Sequence, residues 1–126
     1  MRLLFEHHEL IAILKLADAM MNADGIAEDI EMTILSIEMA RLGVKSEEQL
    51  LSLYKEAKTI NELDCLAIIC NFSSEKKKYI AAFLLAIMAS DDNIDKTEME
   101  LWTFVSAICE LPEMGVQEAF EILKKS

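Results

Sequence analysis

Basic residues are scarce in this sequence. Over 126 residues, 12 Lys and Arg stand against 23 Asp and Glu, a formal net charge of −11 at pH 7. Nucleic acids and anionic lipid surfaces are held by clustered positive charge, so this balance excludes both as partners. The only basic run, Lys76-Lys77-Lys78, reads as a solvated face. Turn formers are as rare, with three Gly and one Pro. An all-β fold needs many tight turns, and this chain does not supply them. Long apolar runs are missing too. The longest without a charge, Tyr79 to Ala89, falls short of a membrane span and reads as a buried helix. At the start, Met1-Arg2-Leu3-Leu4-Phe5 is broken by Glu6, His7, His8 and Glu9 before a signal-peptide core forms. Cys65, Cys70 and Cys109 are odd in number, with neither a CxxC nor a Cys/His zinc spacing. They are expected to be reduced thiols in the core of a cytoplasmic protein. No Gly-rich phosphate loop occurs, and nothing pairs a Cys or Ser with a His for nucleophilic catalysis. The chain is therefore read as a binding module and not an enzyme.

What is present is helical period. Hydrophobic residues make up 53% and charged residues 28%, enough apolar surface for one globular domain spanning 1–126. Leu10, Ile13, Leu14, Ala17, Met20 and Met21 follow i, i+3, i+4, i+7 spacing and predict a helix of about residues 6–22. Ile30, Ile34, Ile37 and Leu42 mark a second, closing at Gly43, which tolerates the positive φ of a helix end. Ser46-Glu47-Glu48-Gln49 and Thr59-Ile60-Asn61-Glu62 read as capping boxes for a third, carrying Leu50, Leu53 and Tyr54, and a fourth, with Leu63, Leu66 and Ile69. Ser73 or Ser74 caps a fifth, roughly 74–90, nearly all apolar from Tyr79 onward and hence central. Asp95-Lys96-Thr97-Glu98 opens a sixth, with Leu101, Trp102, Val105 and Ile108, which Pro112 ends. Gly115 precedes a short seventh carrying Val116, Phe120 and Leu123. The fold class is all-α, a bundle of seven helices.

The two halves match. Ile13–Met21 followed by Asn22-Ala23-Asp24-Gly25-Ile26 parallels Ile80–Met88 followed by Ala89-Ser90-Asp91-Asp92-Asn93-Ile94, 67 positions later. Met39-Ala40-Arg41-Leu42 parallels Ile108-Cys109-Glu110-Leu111 at an offset of 69, which makes the first half two residues shorter. The duplication implies a pseudo-twofold bundle with its two acidic turns in equivalent places.

Those turns carry the only chemistry the sequence singles out. In each, an Asp precedes a Glu seven positions on, Asp24 to Glu31 and Asp91 to Glu98. Asp95 stands one helical turn before Glu98, and Glu28 is an alternative to Glu31. Converging carboxylates repel unless a cation is present, and all-oxygen sets suit hard divalent ions such as Ca²⁺, Mg²⁺ or Mn²⁺. The same carboxylates also suit helix N-termini, where they accept free N–H groups and oppose the dipole, so capping and ligation both stand. An EF-hand does not fit: Asp91, Asn93 and Asp95 fall at loop positions 1, 3 and 5, but Lys96 and Trp102 occupy the positions of the required Gly and Glu. His7-His8 is read as a solvated helix start, because adjacent helical residues diverge by about 100° and cannot chelate together.

Ala23-Asp24-Gly25-Ile26 and Ser90-Asp91-Asp92-Asn93-Ile94-Asp95-Lys96-Thr97-Glu98 resemble the duplicated A-D-G-x-I-S-x-x-E signature of the TerB-like (tellurite resistance protein B-like) domain family. The resemblance extends to size, helix count and duplication. It implies a seven-helix cytoplasmic bacterial protein that binds divalent metal, in stress or tellurite resistance, without enzymatic activity. The ligand set it implies is Asp24, Glu28, Glu31, Asp91, Asp95 and Glu98. Because Asp92 and Asp95 replace the family's Gly and Ser, and Ala27 replaces a capping Ser, the second turn is the better metal site. The alternative is a metal-free helical module whose acidic face meets a protein partner with a basic surface.

Overall fold

In the computed structural model, residues 4–22, 29–89 and 96–125 are described, with 29–31 as helix backbone only. They form seven helices, as the apolar period predicts: α1 (His7–Met21), α2 (Asp29–Arg41), α3 (Glu47–Ala57), α4 (Glu62–Cys70), α5 (Ser74–Ala89), α6 (Lys96–Cys109) and α7 (Val116–Lys125). There is no strand among the described residues. Local chemistry sets where four of these helices begin. The Glu6 N–H donates to Glu9 Oε1 at 2.9 Å, fixing the start of α1. Ser46 Oγ accepts from the Gln49 N–H at 3.1 Å, and Ser73 Oγ from the Lys76 N–H at 3.2 Å. At α4 the cap is Asn61, whose Oδ1 accepts from the Asp64 N–H at 2.8 Å. The capping box expected at Thr59 does not form. The Thr59 hydroxyl donates instead to the Glu56 carbonyl at 2.7 Å, closing α3, and Asn is the better N-cap of the two.

The ends of α2 and α6 correct the register of the duplication. Gly43 has φ +106° and Glu110 φ +53°. Beyond each, an N–H reaches back five residues: Val44 to the Met39 carbonyl and Leu111 to the Ser106 carbonyl, both at 3.0 Å. This is the same Schellman closure twice, and every equivalent pair is 67 positions apart. The two halves therefore keep one offset to the end of these helices, and the offset of 69 drawn from side-chain likeness was a mismatch. Glu110 takes a left-handed conformation that glycine adopts without strain in the first copy.

Neighbours repeat under the pairing of α1 with α5, α2 with α6 and α3 with α7. α1 packs on α3 as α5 packs on α7, and α1 meets α6 as α5 meets α2. α4 has no counterpart and packs on α1 and α6. On the seam between α1 and α5, Lys76 Nζ donates to Glu9 Oε1 at 2.8 Å and Oε2 at 3.0 Å. These two positions are again 67 apart, and equivalent positions meet where a twofold axis passes between the copies. Lys76 is thus not part of a solvated face: it pairs with a buried carboxylate and lies over the Phe5 ring, 5.2 Å from its centroid. Burial works to raise the Glu9 pKa, but the Glu6 N–H and the Lys76 ammonium outweigh it and hold the carboxyl below its ordinary 4.5. A depressed carboxyl stabilises the fold above the unfolded pKa and loses that contribution as pH falls. The stability difference between the wild type and Glu9→Gln should therefore be present at neutral pH and shrink as pH falls through and below 4.5, read from urea midpoints across pH.

α5 is the centre of one continuous core. Every residue from Tyr79 to Met88 is buried, as its uninterrupted apolar run predicts. Phe72, Phe5, Tyr79 and Phe83 form, in that order, an aromatic chain against it, with successive ring centroids 5.6–6.1 Å apart. Four residues read as core from spacing lie outside it. Ile37, Leu63, Ile108 and Phe120 are exposed, because the buried stripes run through Leu35 and Met39 on α2, Cys65 and Ile69 on α4, Val105 and Cys109 on α6, and Ala119 and Leu123 on α7. α2 also turns a carboxylate inward. Glu38 is buried, taking the Tyr79 hydroxyl at 2.8 Å and Arg41 Nη1 at 3.0 Å, while Arg41 Nη2 donates to the Leu123 carbonyl of α7. Among the described residues, no helix is long and apolar enough to cross a membrane.

Candidate functional site

α6 begins at Lys96, directly after the second acidic turn, and Glu98 is its third residue. Lys96, Thr97, Met99 and Glu100 are exposed around it, but Glu98 is 3% exposed. The reason is register. Positions 98, 102, 105 and 109 form one helical stripe, and Val105 and Cys109 bury it. A carboxylate thus occupies the first position of an inward-facing apolar stripe. Taking a carboxylate out of water is costly unless its charge is compensated. Glu31 is likewise the third residue of α2, at the equivalent register. Its side chain lies outside the described residues, as do Asp24, Glu28, Asp91 and Asp95. Of the six expected ligands, only Glu98 therefore has a described side chain. Among the described residues, no group of three or more His, Cys, Asp or Glu side chains comes together to hold a metal. Glu98 fits a hard cation by donor chemistry, and Asp91 and Asp95 are the residues that would complete its set.

His7 and His8 are exposed, as expected of a solvated helix start, and each pairs with a separate carboxylate, His7 with Glu56 and His8 with Glu6. Neither belongs to a metal cluster among the described residues.

A second feature was not foreseen. α1, α4 and α6 enclose a groove of about 290 Å³. Leu16, Leu66, Leu101 and Phe104 give it apolar walls, while Lys15, Asp18 and Glu62 supply charge. Phe104 is 54% exposed, and Ile108 one turn on is also exposed. Large apolar side chains left in water beside a concave surface mark interaction sites.

At one end of this groove two thiols meet. Cys70 ends α4 and Cys109 ends α6, and their Sγ atoms are 2.8 Å apart. Cys109 Sγ also donates to the Leu66 carbonyl at 3.6 Å. Burial, then the Cys70 contact, push the Cys109 thiol up to about 12. Cys65 is separate, donating to the Ala12 carbonyl at 3.4 Å, with burial raising its thiol to about 11. All three are free thiols; Cys65 and Cys109 lie in the core as expected, whereas Cys70 is only half-buried. Nothing in the sequence pointed to the Cys70–Cys109 pair, because the two are 39 positions apart with no motif between them.

No family model matches the chain, and no curated protein does. Among solved structures it is similar to a protein of unknown function, PG1108, from Porphyromonas gingivalis W83. The two are 38% identical, with a TM-score of 0.85 over 98% of this chain and 99% of the other.

Proposed function

We propose that this chain, which belongs to the same family as PG1108 of Porphyromonas gingivalis, is a non-enzymatic, TerB-like module that binds divalent cations through its acidic turns, a reading that rests on its own residues. The observation that carries the reading is Glu98, a carboxylate 3% exposed at the start of α6, immediately after Asp91 and Asp95 in sequence. A carboxylate at that place is a hard oxygen donor, and hard oxygen donors select Ca²⁺, Mg²⁺ or Mn²⁺. The equivalent register of Glu31 on α2 supports a second, weaker site with Asp24 and Glu28. Ligation requires ionised carboxylates, so affinity falls with acid.

The test is thermal unfolding of chelator-stripped protein across titrations of the three ions at fixed ionic strength. At a hundredfold excess over Kd, linkage gives about 2.7 kcal/mol of stabilisation, a rise of roughly 10 °C for a domain of this size. The rise should saturate, favour one ion, and vanish in Asp91→Asn/Glu98→Gln. The absence of any ion-specific shift up to millimolar concentration would overturn the reading.

The groove favours a second reading, a metal-free interaction module. Its occupant would be an amphipathic helix with basic flanks: the walls are apolar, Asp18 and Glu62 stand beside them, and the chain carries a net charge of −11. On this reading Asp91→Asn/Glu98→Gln leaves the melting curve insensitive to cations in both proteins, and Phe104→Glu abolishes binding of a basic amphipathic peptide while leaving the melting temperature unchanged.

A further inference from the structure

We propose that Cys70 and Cys109 form a reversible disulfide under peroxide, stapling the ends of α4 and α6 and fixing the width of the groove between them. The geometry is close to complete. The two Sγ atoms are 2.8 Å apart, within about 1 Å of a disulfide bond. Each thiol is the last residue of its helix, where the backbone adjusts most easily. No third Cys competes, since Cys65 is buried and engaged with the Ala12 carbonyl of α1.

The two thiols have distinct parts to play. Cys70 is half-buried and reachable from solvent, whereas Cys109 is 1% exposed. The Cys70 thiolate attacks hydrogen peroxide, the O–O bond breaks, hydroxide leaves, and Cys70 becomes a sulfenic acid. The Cys109 sulfur then attacks the Cys70 sulfur. The S–S bond forms, the S–O bond breaks, and the departing hydroxide takes the Cys109 proton as water. Two thiols and one peroxide thus give one disulfide and two waters. Two electrons pass from sulfur to oxygen, and a dithiol reductant reverses the change. Burial of Cys109 leaves it a poor nucleophile toward peroxide in bulk water, while contact with Cys70 makes it the resolving thiol as soon as the sulfenic acid appears.

The bond has a structural consequence at the groove. Leu66 stands one turn before Cys70, and Val105 one turn before Cys109, and both line it. Tying the helix ends holds these walls at one spacing. Closing a loop of this length also constrains the unfolded chain, so the oxidised protein should melt roughly 10 °C higher than the reduced one.

The experiment uses the full chain, reduced and then exposed to a small molar excess of hydrogen peroxide. Intact mass should fall by two hydrogens in a monomer. Non-reducing peptide mapping, with fragmentation between Cys65 and Cys70, should place the link between Cys70 and Cys109. The melting temperature should rise, and dithiothreitol should reverse both changes. Cys70→Ser, at the half-buried position, should show neither change. Cys109→Ala serves as a second control and should trap the Cys70 sulfenic acid for a dimedone probe. Over-oxidation of Cys70 without a link, a link through Cys65, or a disulfide between chains would each overturn the proposal. A cation response, present or absent, has no bearing on this outcome.

Discussion

Phe83→Ala is expected to lower the free energy of unfolding by about 3–5 kcal/mol, a fall in melting temperature of roughly 10–20 °C. Phe83 is fully buried in α5, and its ring stands 6.1 Å from that of Tyr79. α5 packs on α1, α2, α6 and α7, so a void there has no wall free to move inward. The loss is the transfer energy of the ring plus the cavity it leaves. Phe120→Ala is the matched control. That ring is 41% exposed on α7, so its removal should cost well under half as much. Urea unfolding with unchanged m-values would measure both. Equal losses at the two positions would contradict the placement of the core described here.

The pair of phenylalanines also shows how far a sequence carries. The run from Tyr79 onward left α5 no polar face, so its central place followed from composition alone. On α7 the same reasoning named both Phe120 and Leu123, and only Leu123 is buried; its partner on the stripe is the small Ala119. Spacing names a set of candidate stripes on an amphipathic helix, and the neighbouring helices decide among them. Gly43 and Glu110 make the same point for register. Glycine announced one helix end. Its equivalent in the second half is a glutamate held at positive φ, which no propensity would select, and the true offset became visible only through the hydrogen bonds.

The candidate site was legible to a different degree. The sequence named Glu98 as a ligand by its distance from Asp91, and the structure places it on a buried stripe, an unusual location for a carboxylate. The side chains of Asp24, Glu28, Glu31, Asp91 and Asp95 lie outside the described residues. The groove and the thiol pair were not legible. Both depend on α4, which has no counterpart in the duplication and brings Cys65, Leu66 and Cys70 against α1 and α6 from far along the chain. A repeat read from sequence describes what its copies share, and here the unshared helix builds one wall of the groove.

The second large effect is expected where α2, α5 and α7 are tied together. Glu38 is a buried carboxylate held by the Tyr79 hydroxyl and by Arg41, which also reaches the Leu123 carbonyl. Burial first, and the Glu38 charge second, push the Tyr79 hydroxyl above its ordinary value of 10, so it stays protonated and donates. Arg41→Met leaves Glu38 buried without its cation. Removing one partner of a buried pair costs about 3–5 kcal/mol; the guanidinium here is 35% exposed, so water screens part of it and about 2–3 kcal/mol is expected. A sharper test is the triple variant Tyr79→Phe/Glu38→Leu/Arg41→Met. It removes the Tyr79 donor, the Glu38 charge and the guanidinium together, so no carboxylate of this network is left buried without its cation, and it should be destabilised less than Arg41→Met by itself. Additive losses across the series would mean that each residue acts through packing alone. Strong non-additivity, measured as coupling in a mutant cycle, would mean that the three side chains act as one unit holding α2 and α7 to the central helix.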